Sequence, residues 1–194
     1  MWFEPVTNPN VNGWEGKIYN IGFTEPPGYA KSGLTHVENY VLNDHTYCCQ
    51  LVKDPEVCAA GEPNVIYKDE CKAWHEQKIQ KRVDDAKTLG VPLHITEFGA
   101  CLTEESCTQE ITQVADTCDS HIVGWAYWQF KYYEDLTTTA GTGSEGFYNP
   151  DGTLQTWKVK ALSRSYVRFT QGVLQKHSFD TATSTLSASF IANL

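Results

Sequence analysis

The stretch Val91-Pro92-Leu93-His94-Ile95-Thr96-Glu97-Phe98-Gly99-Ala100 places a single carboxylate at the end of a short apolar run and directly before a glycine turn. The apolar run predicts a buried strand, and a (β/α) barrel places its catalytic groups at this end of its strands. A charge is costly to bury alone. Glu97 is therefore expected either at the mouth of a cleft or paired with another polar group.

Helical patterns flank this strand on both sides. Residues 71–89 carry apolar side chains at helical spacing before Gly90, and residues 111–118 do so after a start signal at Thr103. The charged stretch 78–82 of the first helix is interpreted as its solvated face. A third helix is predicted from the spacing of four further apolar residues, Trp157, Leu162, Tyr166 and Phe169.

Three other strands accompany these helices in the pattern. Residues 1–3 predict a strand that ends at Glu4, residues 37–47 contain a second, and the continuous apolar run 122–128 predicts a buried strand. Strands that alternate with helices favour an α/β fold with a parallel sheet and right-handed crossovers. Four such units are half of a (β/α)8 barrel. After Gly172 the pattern changes to strands and a turn, which indicates the beginning of a β domain.

The composition excludes several classes of protein. The 194 residues are enough for one domain with a core, but fewer than the about 250 of a complete barrel. A net charge of −9 argues against binding to nucleic acid or to an anionic membrane surface, and no apolar run approaches the length of a transmembrane span. Six Trp and ten Tyr suit stacking on sugar rings, although aromatic residues also fill cores.

Seven cysteines are many for a cytosolic enzyme and favour an oxidising compartment with two or three disulfides. Their spacing does not match that of zinc sites, so no metal is expected. Closeness in sequence favours the pairs Cys101–Cys107 and Cys58–Cys71. The start Met1-Trp2-Phe3-Glu4-Pro5 has neither a basic segment nor the apolar core of a signal peptide. We therefore expect that the N-terminus is missing.

Polar or aromatic side chains follow all four predicted strands. They are Glu4, His45 with Tyr47, Glu97 and Trp128. The strand ends of a parallel barrel converge on one face, so these residues can share one pocket. Each also has a simpler explanation: a solvated carboxylate, a structural histidine, a half-buried tyrosine or a core tryptophan.

Four strings resemble, in this order, the second half of glycoside hydrolase family 5, and within it the endoglycoceramidases and related glucosylceramide-cleaving enzymes: Trp2-Phe3-Glu4-Pro5-Val6-Thr7, Asn43-Asp44-His45-Thr46-Tyr47-Cys48, Ile95-Thr96-Glu97-Phe98-Gly99-Ala100-Cys101 and Trp125-Ala126-Tyr127-Trp128-Gln129-Phe130-Lys131. The resemblance implies that residues 1–172 are the C-terminal half, strands five to eight, of a TIM (β/α)8 barrel. Residues 173–194 would then be the first strands of a truncated β-sandwich domain.

The resemblance also assigns expected roles. Glu97 matches the nucleophile. His45 and Tyr47 match residues that line the sugar subsite and orient the nucleophile, and Trp128 matches the tryptophan at the floor of that subsite. Glu4 matches a fifth-strand glutamate that is not the acid/base. The implied activity is retaining hydrolysis of the bond between glycan and ceramide in glycosphingolipids, without a cofactor or a metal.

The acid/base partner in this family lies in an Asn-Glu-Pro motif, which is absent from this sequence; Phe3-Glu4-Pro5 is the nearest string. Either Glu4 is a degenerate acid/base or the chain is a fragment, and we favour the fragment, which should be inactive alone. The full-length protein is expected to be secreted or lysosomal/endosomal, with transient contact to a membrane surface. Phe23, Pro26, Pro27 and Tyr29 of the long loop 7–33 would form an apolar surface for the lipid, although a bare flexible loop explains this stretch equally well. Two alternatives stay open: a family 5 β-glucanase or β-glucosidase acting on soluble glycans, and a non-catalytic half barrel that binds carbohydrate or lipid.

Overall fold

A four-stranded parallel sheet forms the centre of the protein. The computed structural model describes residues 1–5, 11–12, 17–33, 37–48, 58–59, 62–133 and 143–193. Within them the sheet contains, in spatial and chain order, β1 (Trp2–Phe3), β4 (Val41–His45), β7 (Leu93–Glu97) and β8 (Gly124–Trp125). The parallel order of consecutive units is the predicted α/β arrangement.

The other strands form three antiparallel pairs. These are β2 (Val11–Asn12) with β3 (Lys17–Ile18), β5 (Cys58–Ala59) with β6 (Glu62–Pro63), and β9 (Gly172–Asp180) with β10 (Thr185–Ala192). The last pair is a long hairpin, as the change of pattern after Gly172 predicts. The division of the chain into two domains at this residue stays a prediction.

Two long helices cover the sheet and two shorter ones accompany them. They are α1 (Tyr29–Ser32), α2 (Lys68–Leu89), α3 (Glu104–His121) and α4 (Thr156–Leu162), with short 3₁₀ turns at Val37–Asn39 and Val65–Tyr67. Gly90 ends α2 with φ of 68°, a backbone conformation that glycine adopts at low cost. The Thr103 hydroxyl accepts a hydrogen bond from the Ser106 N–H and caps α3. Both predicted helices and their boundary signals are confirmed. No helix among the described residues is long and apolar enough to cross a membrane.

The main core lies between the sheet and helices α2 and α3. Its members are apolar side chains from both layers, including Leu42, Leu93, Ile95, Ile79, Val83, Ile111 and Val114. Each fully buried side chain of this size contributes about 1.5–3 kcal/mol by leaving water. This packing holds the strands in register and so determines where their C-terminal ends lie.

The prediction of a buried strand over residues 122–128 is wrong in most of its length. Only Gly124–Trp125 is strand. Ile122 ends α3 in a left-handed conformation and is 45 % exposed. Within the described sheet, β8 pairs with β7 alone. An edge strand of this kind leaves alternate apolar residues outside the core, so an apolar run does not by itself show burial.

The predicted third helix is also shorter than its apolar pattern. It ends at Leu162, where Ser163 turns the backbone out of the helix. Tyr166 and Phe169 lie beyond it, and Phe169 is 84 % exposed. Arg164, which also follows this helix, joins the hairpin of β9 and β10 to α3 by donating hydrogen bonds to Asp119 and to the Phe179 carbonyl.

One of the two expected disulfides is confirmed. Cys101 bonds to Cys107. Cys58–Cys71 is wrong, because Cys71 in the first turn of α2 bonds instead to Cys48, whose Cα atom lies 5.1 Å away. Cys48 is distant in sequence but follows the end of β4, beside which α2 begins. Cys118 is buried as a free thiol.

Candidate active site

The carboxyl ends of the sheet strands bring the predicted site residues together. His45 and Glu97 are the last residues of β4 and β7, and they are partners in the strand register. Glu4 follows β1, and Tyr47 lies two residues beyond β4. Parallel pairing places these ends at one edge of the sheet, which is why the sequence pattern predicts their proximity.

Glu97 is held by His45, the last residue of β4, and by Tyr47, which follows that strand. The Tyr47 hydroxyl donates a hydrogen bond of 3.2 Å to Oε2 of Glu97, and Nδ1 of His45 lies 3.2 Å from the same oxygen. Burial and the carboxylates of Glu97 and Glu145 raise the pKa of Tyr47 well above its usual range. Tyr47 therefore stays protonated and remains a donor to Glu97 at every physiological pH.

The pKa of Glu97 is displaced toward neutrality. The pKa of Glu97 is raised to about 7: burial is the largest cause, the Tyr47 hydrogen bond opposes it, and the carboxylates of Glu4 and Glu145 add to the rise. A carboxyl group with such a pKa gains or loses its proton close to physiological pH. Groups with displaced pKa values of this kind are common at sites of acid, base or nucleophilic chemistry.

His45 lies between two carboxylates. Its Nε2 is 3.4 Å from Oε2 of Glu4, while its Nδ1 faces Glu97. Burial lowers the pKa of His45, Lys78 lowers it further, and Asp44 opposes them. A neutral imidazole has a single N–H and can donate to only one carboxylate at a time. Burial and Asp44 raise the pKa of Glu4, which favours the protonated form of the Glu4 carboxyl.

A buried ionic network connects β4 to helix α2. Asp44 accepts a 2.7 Å hydrogen bond from Nε of Arg82 and a 2.8 Å bond from the His45 N–H. Lys78 donates to the His45 carbonyl. Lys78 and Arg82 are thus buried, and the interpretation of residues 78–82 as a solvated face is wrong for these two. Their partner Asp44 is on a different element, so the charges on the helix alone did not indicate burial.

A second buried cluster anchors the residues on either side of Tyr47. The Thr46 hydroxyl lies 2.8 Å from Nδ1 of His75, and the Cys48 N–H donates to Glu110. The Cys48–Cys71 disulfide joins the same backbone to α2. Among the described residues, Cys48, Cys71 and Glu110 are grouped closely enough to hold a metal, but the disulfide consumes both thiolates that a metal would need.

Trp128 lies after β8, and its indole N–H donates a 3.2 Å hydrogen bond to Oε2 of Glu145. The peptide bond between Trp128 and Gln129 is cis. Glu145 was not anticipated from the sequence, because it lies in a polar stretch where a glutamate is ordinarily solvated. The structure buries it instead. Trp128 is thereby joined to a third carboxylate that acts on the pKa of Glu97.

The arrangement suits attack by a carboxylate on an electrophilic carbon. The Tyr47 and His45 contacts to Glu97 are both made through Oε2. Oε1 takes part in neither of them. A protonated tyrosine and a neutral histidine beside it can stabilise the ionised carboxylate.

Comparisons with known proteins identify the family of the chain and agree with its fold. A family model described as Cellulase (glycosyl hydrolase family 5) matches residues 10–134, more than half of the chain. Endo-glycoceramidase II from Rhodococcus sp. has a similar structure. In its ganglioside GM3 complex the TM-score is 0.65 at 18% identity, over 99% of this chain and 37% of that chain. In its cellobiose-like imidazole complex the TM-score is 0.65 at 20% identity, over the same shares.

The lactosyl-enzyme intermediate of the same protein gives a TM-score of 0.59 at 19% identity, over 91% of this chain and 33% of that chain. These identities establish the similarity of fold alone. The chain spans little more than a third of the length of these structures. No match was found among curated protein sequences. Because the family model covers most of the central sheet and both long helices, the chain belongs to glycosyl hydrolase family 5, a family of glycosidases.

Proposed function

We propose that this chain carries the nucleophile half of a retaining glycoside hydrolase that cleaves the bond between glycan and ceramide in glycosphingolipids. The observation that supports this proposal is the placement of Glu97 at the end of β7, where Tyr47 and His45 both contact one oxygen. In this proposal the four parallel strands are strands five to eight of a (β/α)8 barrel.

Glu97 attacks the anomeric carbon of the sugar in the first step. Its ionised form is required, because a protonated carboxyl is a poor nucleophile. Tyr47 and His45 fix Oε2 so that Oε1 faces the sugar, and Trp128 offers a flat apolar surface to the ring. The product of this step is a glycosyl-enzyme ester, which water hydrolyses in the second step.

A retaining enzyme also needs a second carboxyl group about 5–5.5 Å from the nucleophile to protonate the leaving oxygen. Glu4 accepts a 3.0 Å hydrogen bond from Asn43 and lies beside His45, on the neighbouring side of the site. We assign it to substrate binding and not to acid catalysis. The 194-residue chain should therefore not hydrolyse glycosides with poor leaving groups.

The lipid part of the substrate would contact the segment before β4. The expectation for residues 7–33 lies partly outside the described residues. In the described part, Pro26 is buried, and Tyr29 packs edge-on against Tyr40 at the main core, so neither presents a free apolar surface. Phe23 is partly exposed beside Phe3 and remains the apolar candidate for contact with ceramide or a membrane surface. We further propose secretion, or residence in lysosomes or endosomes, for a protein with this function.

A covalent trap tests the role of Glu97 without requiring an acid catalyst. Fluoride leaves from 2-deoxy-2-fluorolactosyl fluoride without protonation, and the fluorine at C2 slows hydrolysis of the ester. The purified chain should gain the mass of one fluorolactosyl group, located on Glu97 by peptide mapping. Glu97→Gln should not be labelled. Labelling of Glu4 or Glu145 in its place would contradict the assignment of the nucleophile.

The second candidate is hydrolysis of a soluble β-glucan, which the description of the matching family model as a cellulase favours. Competition separates the two substrate classes. Lactosylceramide in detergent micelles should protect Glu97 from the trap at lower concentration than cellotetraose if ceramide is recognised. Equal protection by lactosylceramide and free lactose would remove the lipid from the proposal. Stronger protection by cellotetraose would support the glucan.

A further inference from the structure

We propose that Glu145 is a positioning residue for Trp128 and that the buried Lys158 holds Glu145 in place. The proposal rests on the proposed function in one respect, namely that Trp128 is the surface on which the sugar lies. It adds a device that sets the orientation of that surface. The device links helix α4, the segment Gly143–Gly146 and the residues that follow β8.

Lys158 binds the backbone of this segment from below. Its Nζ donates hydrogen bonds of 2.8, 2.7 and 2.9 Å to the carbonyls of Gly143, Ser144 and Gly146. The side chain is fully buried. Gln155, one turn earlier, donates a further 2.7 Å bond to the Gly143 carbonyl. Burying an ammonium group is costly unless its donors are satisfied, so this geometry fixes the path of the segment closely.

Glu145 is fixed at its backbone as well. Its carbonyl accepts a 2.8 Å bond from the Tyr127 hydroxyl and a 3.0 Å bond from the Gln129 N–H. Tyr127 and Gln129 are the two neighbours of Trp128 in the chain. The Ser144 carbonyl accepts a bond from the Cys101 N–H, which joins the same segment to the chain that follows Glu97. The segment is therefore hydrogen-bonded both to the residues that follow β7 and to those that follow β8.

The carboxylate of Glu145 then determines where the indole ring lies. Its Oε2 accepts the only N–H of the Trp128 side chain, at 3.2 Å. A tryptophan has two side-chain torsions, and a hydrogen bond to its N–H removes most of the remaining rotation of the ring. A hydrogen bond to a charged acceptor is stronger than one to a neutral acceptor. Burial raises the pKa of Glu145, whereas the hydrogen bonds from Trp128 and Gln129 and, to a smaller extent, the charge of Lys158 lower it and so favour the charged form.

Fluorine NMR of the protein labelled with fluorotryptophan tests this device without any catalysis. The Trp128 signal is assigned with Trp128→Phe. It should move and broaden in Glu145→Ala and in Lys158→Met, and move less in Glu145→Gln, which retains an oxygen acceptor. Lys160→Met is the matched control, because Lys160 is exposed on the same helix, and it should leave the signal unchanged. The signal of Trp74, buried in α2, reports whether each variant is folded.

Lactose titration of the same samples links the ring to sugar binding. We expect lactose to shift the wild-type Trp128 signal and to bind about five- to tenfold more weakly to Glu145→Ala and Lys158→Met. An unchanged Trp128 signal and unchanged lactose affinity in Glu145→Ala would overturn the inference. If Lys158→Met loses the Trp74 signal as well, the Glu145 variants decide. A wild-type protein that binds no lactose would refute the proposed function, whereas the signals of the variants would still test the linkage.

Discussion

Replacing Glu97 by Gln should stabilise the protein, and should do so far more at pH 8.5 than at pH 5. Burial, with a smaller contribution from the neighbouring carboxylates, raises the pKa of Glu97 from its usual value near 4.5 to about 7. The folded state therefore binds a proton that the unfolded state has already released between these values. The protonated carboxyl contributes fully to the free energy of unfolding below the lower pKa. This contribution is lost as the pH rises toward 7, and above pH 7 the ionised carboxylate lowers the stability by a constant amount. Gln carries no such proton.

The two pKa values set an upper limit of about 2.5 kcal/mol on the difference in stabilisation between pH 5 and pH 8.5. The Glu97 side chain is 24 % exposed, and water screens part of the penalty, so we expect about 1–2 kcal/mol. Taking the difference between two pH values removes effects that do not depend on ionisation, such as an altered hydrogen bond to Tyr47. The repulsion from Glu4 and Glu145, which Gln also removes, is one of the causes of the raised pKa and is already included in this limit.

Urea unfolding of the wild type and of Glu97→Gln at both pH values measures this difference. Glu76→Gln is the matched control: Glu76 lies on α2 with its side chain half exposed, and its effect should differ little between the two conditions. A Glu97→Gln effect on stability that is equal at pH 5 and pH 8.5 would show that Glu97 titrates near its ordinary pKa. That result would refute the conclusion that its surroundings raise this pKa.

Three further perturbations test the surroundings of Glu97. Tyr47→Phe removes a hydrogen bond that lowers the pKa of Glu97, so the pH midpoint of covalent labelling should rise by about one unit; an unmoved midpoint would contradict the role of Tyr47. Arg82→Met leaves a buried carboxylate without its guanidinium and should cost about 3–5 kcal/mol in urea unfolding, compared with about 0–1 kcal/mol for Lys72→Met at an exposed ion pair. Removing Cys48–Cys71, which closes a loop of 23 residues, by double replacement with Ala should cost about 3 kcal/mol, and an unchanged midpoint of unfolding would refute its structural role.

The parts of the fold that follow from local rules could be predicted from the sequence. Helices α2 and α3 have clear apolar periodicity and strong terminal signals at Gly90 and Thr103. The strand that ends at Glu97 has a compact apolar run before a glycine. Because parallel strands end at one edge, these local features also predicted that Glu97 would lie near His45.

The parts that depend on distant partners could not be predicted in this way. The burial of Arg82 depends on Asp44, which is 38 residues away in sequence. Glu145 is buried because Lys158 binds the backbone on either side of it. Neither residue differs locally from a solvated one. The exposure of Ile122 similarly reflects the neighbours of β8 and not the apolar character of the run in which it lies.

Strand β4 separates two tasks by the alternation of its side chains. Asn43 and His45 are half-buried and face the site, whereas Leu42 and Asp44 are buried against the helices. Under the proposed function, we expect replacements at the first set to alter substrate preference with little loss of folding, and replacements at the second set chiefly to lower expression and heat tolerance. A library designed to alter sugar selectivity should vary alternate positions of this strand and leave those between them constant.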